Sequence, residues 1–382
     1  MEIVLERLAE CIALPSPTPP GDVHLVADWV EAWAREFGAE VSRQEVEPGK
    51  DNLLARLHFG AGPRLVLNTH MDVNDPSSQE WATPPFTATV QGGRMYGRGT
   101  CDAKGSLVAM LCAMENMAAD NAGITGEILL TAVMGEEAGG VGSRHLVDLG
   151  LTADGGVVGE PTGLQIASAH KGTYIRRVRF RGKAAHSARP WLGRNAVTHA
   201  AAFCLACTRV TSELARHPHP LLGPATLTVT GITGGALQNT VPDEAIVTVD
   251  RRLLPGQTRA DCDDELTRLL AELARDQPEL DLGDVETVVA TVPSETPASA
   301  AIVSSALKAV GRAGRPQDAV VGFPAGCDMS KLVNSAGIPT VVCGPGDLAQ
   351  AHAPDEFVPI DDVIVAVRVY ELTARDFLQR RV

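Results

Sequence analysis

The hydrophobic pattern alternates between helix-type and strand-type segments in the first 160 residues and again near the C-terminus. Apolar residues at helical spacing predict helices, and short apolar runs bounded by turn residues predict strands. The predicted helices span residues 25–37, 106–117, 304–310 and 361–378, and the predicted strands span residues 64–68, 126–134, 156–159 and 339–343. This alternation favours an α/β fold with a mainly parallel sheet that is covered on both faces.

The pattern changes between about Lys171 and Pro293, where the predicted elements follow the order β-α-β-β-α-β. This order is typical of a ferredoxin-like domain. Its predicted strands span residues 174–181, 225–231, 245–252 and 285–292, and its helices span residues 195–209 and 259–275. A chain of 382 residues also exceeds what one hydrophobic core usually covers. We therefore predict one domain formed by residues 1–171 and 293–382, with residues 172–292 inserted as a second domain.

Composition and charge narrow the class of protein. Hydrophobic residues make up 45% of the chain and charged residues 21%, which excludes a wholly disordered or fibrous protein. The 47 acidic and 33 basic side chains give a net charge of −14, so nucleic acid and anionic membranes are not expected as partners. Eight scattered cysteines, several in apolar stretches, are typical of free thiols in a reducing compartment. With no signal-peptide pattern at the N-terminus, we expect a cytoplasmic location.

Metal-type side chains follow the predicted strands at the point where each strand ends, or lie in nearby loops. In an open α/β sheet, ligands bind at the carboxyl ends of the strands, so these side chains should meet at one edge. Taken singly, such a carboxylate is more often a helix cap and such a histidine more often a core or surface residue. Several segments that all deliver them to one edge favour a functional site. The candidates are His70, Asp72, Asp102, Glu136, Glu137, Glu160 and His352.

Five motifs surround these candidates: Asn-Thr-His-Met-Asp-Val at 68–73, Tyr-Gly-Arg-Gly-Thr-Cys-Asp-Ala-Lys-Gly at 96–105, Gly-Glu-Glu at 135–137, Gly-Glu-Pro-Thr at 159–162 and Ala-His-Ala-Pro-Asp-Glu at 351–356. In this order they resemble the dizinc aminoacylase and carboxypeptidase family, peptidase family M20, which includes acetylornithine deacetylase, succinyl-diaminopimelate desuccinylase and the glutamate carboxypeptidases. The resemblance covers nearly the whole chain. It implies that the α/β domain is a zinc hydrolase domain and that the inserted domain serves as a lid and dimerisation domain.

The resemblance also implies the metal ligands. Asp102 would bridge two zinc ions, with His70 and Glu160 on one ion and Glu137 and His352 on the other. Two metal ions held about 3.5–4 Å apart can clamp an attacking hydroxide and a polarised carbonyl in one pocket, which suits amide hydrolysis. Cobalt is expected to substitute for zinc.

Three further residues receive catalytic roles from the resemblance. Glu136 matches the general base that takes a proton from the metal-activated water and passes it to the leaving nitrogen. Asp72 matches the carboxylate that orients the imidazole of His70. His186 matches a histidine that reaches the partner subunit's active site and stabilises the oxyanion. The family also has a cis peptide bond after its bridging aspartate, which here is the bond from Asp102 to Ala103.

The inserted domain contains the predicted substrate-binding residues. Gly234, Gly235 and Asn239 match the substrate loop of the family. Arg252 is a better candidate than Arg251 to bind the substrate's carboxylate, because it occupies the arginine position of the family's Asp-x-Arg-x-x-Pro motif. Strand alternation places these two arginines on opposite faces, so only one of them can do so.

We therefore predict a zinc-dependent hydrolase of deacetylase type, which cleaves the amide bond of a small N-acyl-L-amino acid. We also predict that it is a homodimer. The resemblance implies a histidine at position 160 in the carbamoyl-amide hydrolases of the family, so the glutamate found there argues against that activity. The segment 322–330 corresponds to a substrate-binding segment of relatives and departs from the Ser/Thr-rich pattern of desuccinylases, which argues against a succinyl substrate. Two alternatives stay open: a dipeptidase or glutamate-type carboxypeptidase, and a non-catalytic zinc-bound binding protein.

Overall fold

Residues 2–379 are described by the structure, a computed structural model, and they form two units. The first unit runs to Ala169 and continues at Glu295–Phe323 and from Cys327 onward. The second unit consists of His170–Ser294 and Pro324–Gly326. The divisions at 169/170 and 294/295 lie close to the predicted boundaries at 171/172 and 292/293. The roles assigned to the two domains stay predictions.

The helices are α1 (Glu2–Ile12), α2 (His24–Glu36), α3 (Lys104–Ala119), α4 (Val141–Asp148), α5 (Ala196–Leu214), α6 (Arg259–Asp276), α7 (Ala301–Arg312) and α8 (Ile360–Leu378). The strands are β1 (Pro17–Thr18), β2 (Glu40–Glu47), β3 (Lys50–His58), β4 (Arg64–His70), β5 (Val73–Asn74), β6 (Thr89–Gln91), β7 (Arg94–Tyr96), β8 (Glu127–Val133), β9 (Gly155–Val158), β10 (Ala167–His170), β11 (Gly172–Arg181), β12 (Ala185–His186), β13 (Thr226–Gly234), β14 (Thr240–Val241), β15 (Glu244–Leu253), β16 (Asp281–Ala290), β17 (Ser294–Glu295), β18 (Val321–Phe323), β19 (Thr340–Val342) and β20 (Phe357–Pro359).

The large sheet has nine strands, of which eight follow the order β17-β10-β19-β9-β4-β8-β3-β2 while β18 pairs with β10. Its centre is parallel, because β19 pairs with β9, β9 with β4 and β4 with β8 in the same direction. The antiparallel strands lie to the sides, where β3 pairs with β8 and β10 with β19. The predicted α/β class is confirmed, and the carboxyl ends of β4, β8 and β9 lie at one edge.

Both faces of the large sheet are covered, as predicted. Strand residues alternate between the faces, so Leu65 and Leu67 enter the main hydrophobic core with residues of α1, α2, α3, α7 and α8. Val66 and Leu129 point to the opposite face, where they pack with Leu146 of α4. The near-continuous apolar sequence of β4 and β8 therefore reflects burial on both sides.

The hairpin of β2 and β3 departs from the predicted alternation of strands and helices. These strands are antiparallel neighbours, and β3 joins the sheet through β8. In β2 only Val41, Gln44 and Val46 are of intermediate burial, and the exposed positions are all charged or polar. The sequence of this edge strand therefore has little hydrophobic signal.

The second unit contains β11, α5, β13, β15, α6 and β16 in chain order, which confirms the predicted β-α-β-β-α-β pattern. Its main sheet has the order β13-β15-β11-β16 with antiparallel pairing throughout, as in ferredoxin-like domains. The two helices share a core with the sheet, in which Phe180 of β11 and Phe203 of α5 have ring centroids 5.5 Å apart.

Candidate metal and catalytic centre

The fold of the first unit brings the predicted metal residues together. His70 is the last residue of β4, and the turn that carries Glu136 and Glu137 follows β8. Glu160 comes two residues after β9, and Asp102 comes two residues before α3. Three parallel neighbouring strands thus supply three of the loops, as the strand-end pattern indicates.

Asp102 lies between the two histidines. Its Oδ1 atom is 3.1 Å from Nε2 of His70, and its Oδ2 atom is 3.6 Å from Nε2 of His352. The peptide bond from Asp102 to Ala103 is cis, as the resemblance implied. One carboxylate therefore faces a histidine with each of its oxygens, which is the arrangement that a bridging ligand requires.

Two groups of three side chains can each surround a cation, with ligand atoms within 4.8 Å of one another. One group is His70, Glu136 and Glu160, and the other is Asp102, Glu137 and His352. Glu137 Oε2 is 2.9 Å from Nε2 of His352, and Glu160 Oε1 is 4.0 Å from Nε2 of His70. Glu136 is itself a member of the first group, so its carboxylate lies where it can contact either a metal ion or a metal-bound water.

The imidazole of His70 is hydrogen-bonded to the backbone of Asp72, and the orienting role of the Asp72 side chain stays a prediction. Nδ1 of His70 is 2.8 Å from the carbonyl oxygen of Asp72, whereas the Asp72 carboxylate is 3.7 Å away. Because a carbonyl oxygen only accepts, Nδ1 carries the proton and Nε2 keeps its lone pair for a metal.

The carboxylate of Asp72 also holds the glutamate turn. It is fully buried, and it accepts the backbone N–H groups of Glu136 at 3.1 Å and Glu137 at 3.2 Å. The hydroxyl of Thr18 donates to it at 3.0 Å. Asp72 therefore fixes the position of both glutamates.

Burial of several carboxylates together perturbs their protonation. Burial raises the pKa of Glu136 to about 8, and the charge of Asp328 acts in the same direction. Burial is the main cause that raises the pKa of Glu137 and of Glu160, and the negative charge of Asp102 raises both further. The hydrogen bond with Glu137 raises the pKa of His352 to about 9. The cluster carries more negative charge than it can keep in a buried site without cations.

The donor set fits divalent metal ions. Imidazole nitrogen and carboxylate oxygen are ligands that zinc accepts, and together they suit other first-row metals as well. Oε1 of Glu137 is buried and has no hydrogen-bond partner among residues 2–379. An unpartnered buried carboxylate oxygen of this kind is accounted for by a bound cation.

Glu356 is a site residue that the sequence analysis missed, although it ends one of the quoted motifs. It is fully buried, and its carboxylate accepts the backbone N–H groups of Cys101 at 2.7 Å and Asp102 at 3.0 Å. The guanidinium of Arg98, also buried, donates to it at 2.9 Å. Glu356 thus positions the loop of Asp102 from a part of the chain more than 250 residues away, a contact that local spacing does not reveal.

In the second unit, His186 and the predicted substrate loop lie side by side. His186 of β12 is opposite Thr240 of β14, and the N–H of Ser187 donates to the carbonyl of Asn239 at 2.8 Å. The N–H of Ala188 donates to Nδ1 of His186 at 3.1 Å, so the proton of the neutral imidazole is on Nε2. His186 is exposed and can therefore offer that N–H to another group.

The two glycines of the substrate loop are constrained by their surroundings. A Cβ atom at Gly234 would lie 2.8 Å from a methyl group of Val197 and 2.9 Å from Cβ of Ala245. Gly235 has a φ of 79°, which side chains disfavour. Their conservative replacement by alanine would shift the loop that carries Asn239.

Arg251 and Arg252 of β15 lie on opposite faces, as strand alternation requires. Arg251 is buried and pairs with Glu265 at 3.0 Å. Arg252 is 34% exposed and donates to Thr173 at 2.8 Å and to Asp250 at 2.9 Å. Lys171 is not among the predicted site residues. Burial lowers the pKa of its ammonium, and the positive charge of Arg252 lowers it further. Arg252 and Lys171 therefore lie within electrostatic range of each other, and the Lys171 ammonium donates to the carbonyl of Pro224 at 2.8 Å.

A sheet with a parallel centre and a buried cluster of carboxylates and histidines at its strand ends is the arrangement of a metal-dependent hydrolase. The chain belongs to peptidase family M20/M25/M40, whose family model matches residues 66–376. It is accordingly an enzyme that hydrolyses amide bonds.

Individual relatives agree in sequence or fold. The chain is 31% identical to acetylornithine deacetylase of Proteus mirabilis (strain HI4320), over 88% of this chain and 84% of that protein. Its fold is similar to that of the M20 family metallo-carboxypeptidase Sso-CP2 from Sulfolobus solfataricus, with a TM-score of 0.82 and 22% identity over 99% of both chains. It is also similar to YXEP of Bacillus subtilis, described as a dinuclear metal binding peptidase, with a TM-score of 0.73 and 16% identity over 99% of this chain and 98% of that one.

Proposed function

We propose that the chain is a dizinc hydrolase of deacetylase type, which cleaves the amide bond of an N-acyl-L-amino acid. The observation that carries the proposal is the position of Asp102, whose two oxygens face His70 and His352. The dinuclear relative supports two metal ions, and the relative named acetylornithine deacetylase supports an acyl-amino-acid substrate.

The residues that would hold the metals are those of the bridging arrangement. Asp102 would serve both ions, His70 and Glu160 would complete one site, and Glu137 and His352 the other. Bound there, two zinc ions would lower the pKa of a water molecule and polarise the amide carbonyl. Cobalt has similar ligand preferences and is expected to support activity.

Glu136 is the general base in this proposal. It lies in the buried cluster without a hydrogen bond to His352, and Asp72 holds its backbone. It would take a proton from the attacking water and deliver it to the amide nitrogen that leaves. The deacylated amino acid and the free carboxylate of the acyl group are then the products.

The second unit would bind the rest of the substrate. Arg252, with Lys171 nearby, would bind the α-carboxylate of the amino acid, while Asn239 and the glycines shape the loop. His186 would donate its Nε2–H to the oxyanion that develops on the carbonyl. These roles depend on the lid function that the family resemblance implies for this domain.

We also propose a cytoplasmic homodimer. All eight cysteines are free, which suits a reducing compartment. The edge strand β13 exposes Ile232, and edge strands are normally covered or paired. Among residues 2–379 there is no helix long and apolar enough to cross a membrane.

A carboxypeptidase or dipeptidase is the second candidate, because the same metal cluster and Arg252 would serve a peptide bond equally well. The name of the metallo-carboxypeptidase relative favours this alternative. A non-catalytic binding protein is not supported, since Glu136 lies within the cluster where a general base is needed.

A substrate panel tests the proposal. Purified protein, loaded with zinc or cobalt, would be incubated with N-acetyl, N-succinyl and N-formyl amino acids and with dipeptides, and the released amine measured. Hydrolysis of N-acyl amino acids well above that of dipeptides is expected. Preference for dipeptides would favour the second candidate, and no hydrolysis of any member by metal-loaded protein would reject both.

A further inference from the structure

We infer that the buried ion pair of Asp328 and Lys331 is a positioning device for Glu136, acting through the backbone of the turn that carries it. The inference rests on the proposed function, in which Glu136 is the general base. Asp328 lies in the segment 322–330, which the resemblance relates to substrate type, but neither the resemblance nor the metal cluster assigns a catalytic role to Asp328 or Lys331.

The turn after β8 depends on its contacts for a fixed shape. Gly135, Gly139 and Gly140 all have positive φ values, of 67°, 99° and 74°. Backbone N–H groups of Gly139 and Gly140 close the turn by donating to the carbonyl of Glu136 at 2.8 and 3.1 Å. A turn with three such glycines has much conformational freedom, so outside contacts must hold it. Asp72 supplies those contacts on one side only.

The ion pair closes the turn from the other side. A Cβ atom built on Gly140 would collide with the Lys331 ammonium and with Oδ1 of Asp328, so both groups lie directly against the turn's backbone. Nζ of Lys331 is 3.2 Å from Oδ1 of Asp328. Only glycine at position 140 admits this contact.

The pair is itself held by buried groups. Asp328 is 1% exposed, and its Oδ2 accepts the hydroxyl of Ser143 at 2.6 Å. Ser143 in turn accepts the side-chain amide of Asn68 at 3.1 Å, which fixes the pair to β4. The chain of contacts therefore runs from the strand that ends at His70, through α4, to the turn of Glu136.

The pair acts on Glu136 through charge as well as through its contact with the backbone of the turn. Burial alone would lower the pKa of the Lys331 ammonium, but the carboxylates of Asp328 and Glu136 raise it. The lysine side chain is only 13% exposed, so its charge is poorly screened. Lys331 therefore attracts Glu136 and offsets the repulsion between Glu136 and Asp328. Without the charge of Lys331, the repulsion between Glu136 and Asp328 would not be offset.

Kinetics of K331M test the inference, with K308M as the matched control. Lys308 forms an ion pair with Asp376 at 3.3 Å on the surface of the same unit, far in sequence from the turn. K331M should lower kcat by about 10²-fold, the effect of a displacement near 1 Å, while KM changes little. K308M should leave both unchanged. If K331M does not fold, K331Q, which keeps a donor for Asp328, takes its place.

A double-mutant cycle separates positioning of Glu136 from general support of the fold. Introduced into E136Q, K331M should cause almost no further loss of kcat, because the group that it positions is already gone. Equal losses in the presence and absence of Glu136, or an unchanged kcat in folded K331M, would overturn the inference.

Amide hydrogen exchange provides a readout that does not need activity. Exchange at residues 136–140 should be faster in K331M than in wild type and K308M. Unchanged exchange would show that Lys331 does not hold this turn and would overturn the inference, whether or not a substrate of the panel is hydrolysed. If the wild-type protein hydrolyses no substrate and K331M still exchanges faster than wild type, the positioning contact stands and the proposed function fails.

Discussion

Glu136 and Glu137 are adjacent in the chain and yet differ in their surroundings. Glu137 contacts His352 at 2.9 Å, whereas Glu136 lies near His70, Glu160 and the pair of Asp328 and Lys331. Adjacent residues after a strand point in different directions, so one can bind metal while the other faces substrate. The division of labour between them is the most informative property to test.

Replacing Glu136 by glutamine should retain both metal ions and lower turnover by about 10²–10⁴-fold, because a base is lost and a ligand is not. Glu137→Gln is the matched control and should reduce metal content. Metal analysis and kcat measured on the same samples check both statements. A metal-depleted Glu136→Gln protein would show that the two roles are reversed.

The pH dependence of stability should reveal the unpaired charge of the cluster. Burial raises the pKa of Glu136 from 4.5 to about 8, and the hydrogen bond with Glu137 raises that of His352 from 6.5 to about 9. Groups with a higher pKa in the folded chain bind more protons there, so their contribution to stability falls as the pH rises between the two values. The metal-free protein should therefore lose stability between about pH 5 and pH 9.

Zinc should oppose this loss, because metal ions bind the deprotonated ligands and compete with protons. The increase in Tm on adding zinc to chelator-treated protein should be larger at pH 9 than at pH 5.5. Thermal unfolding at both values, with and without zinc, measures it. A Tm of the metal-free protein that stays level or rises with pH would contradict the charge imbalance.

At the scale of the element, alternation along β15 gives its two arginines different tasks. Arg252→Ala should lower kcat/KM by roughly 10–10²-fold, the effect of one hydrogen bond to a charged group, without a large change in Tm. Arg251→Ala should instead destabilise the protein by about 3 kcal/mol, since it leaves Glu265 without its partner in a largely buried site. Kinetics and thermal unfolding of both variants compare them, and a larger catalytic effect from Arg251→Ala would refute the assignment.

Elements with a buried face were predictable from the sequence, and elements held by distant contacts were not. Strands β4 and β8 have a local signal, because burial on both faces requires a nearly continuous apolar run. The ends of these runs mark the positions of His70 and Glu136. The edge strand β2 has none. Glu356 and Lys331 act across hundreds of residues or through a glycine backbone, so their importance depends on packing that only the folded chain displays.

At the scale of the whole molecule, the dimer proposal makes its own prediction. If His186 serves the partner's active site, mixing inactive His186→Ala with inactive Glu136→Ala subunits should restore part of the activity, because each mixed dimer contains one intact site. Subunit exchange is verified with differently tagged chains. Exchange without recovery would place His186 in its own subunit's site or outside catalysis.

The order of synthesis gives the inserted unit a special position. The ribosome completes residues 170–294 while the central sheet still lacks β19, which pairs with β9 from almost 200 residues earlier. Helix α8, which packs on α3, and His352 emerge later still. We therefore expect the β-α-β-β-α-β unit to fold while the nascent chain is still growing, and the metal centre to form only after its last histidine has left the ribosome.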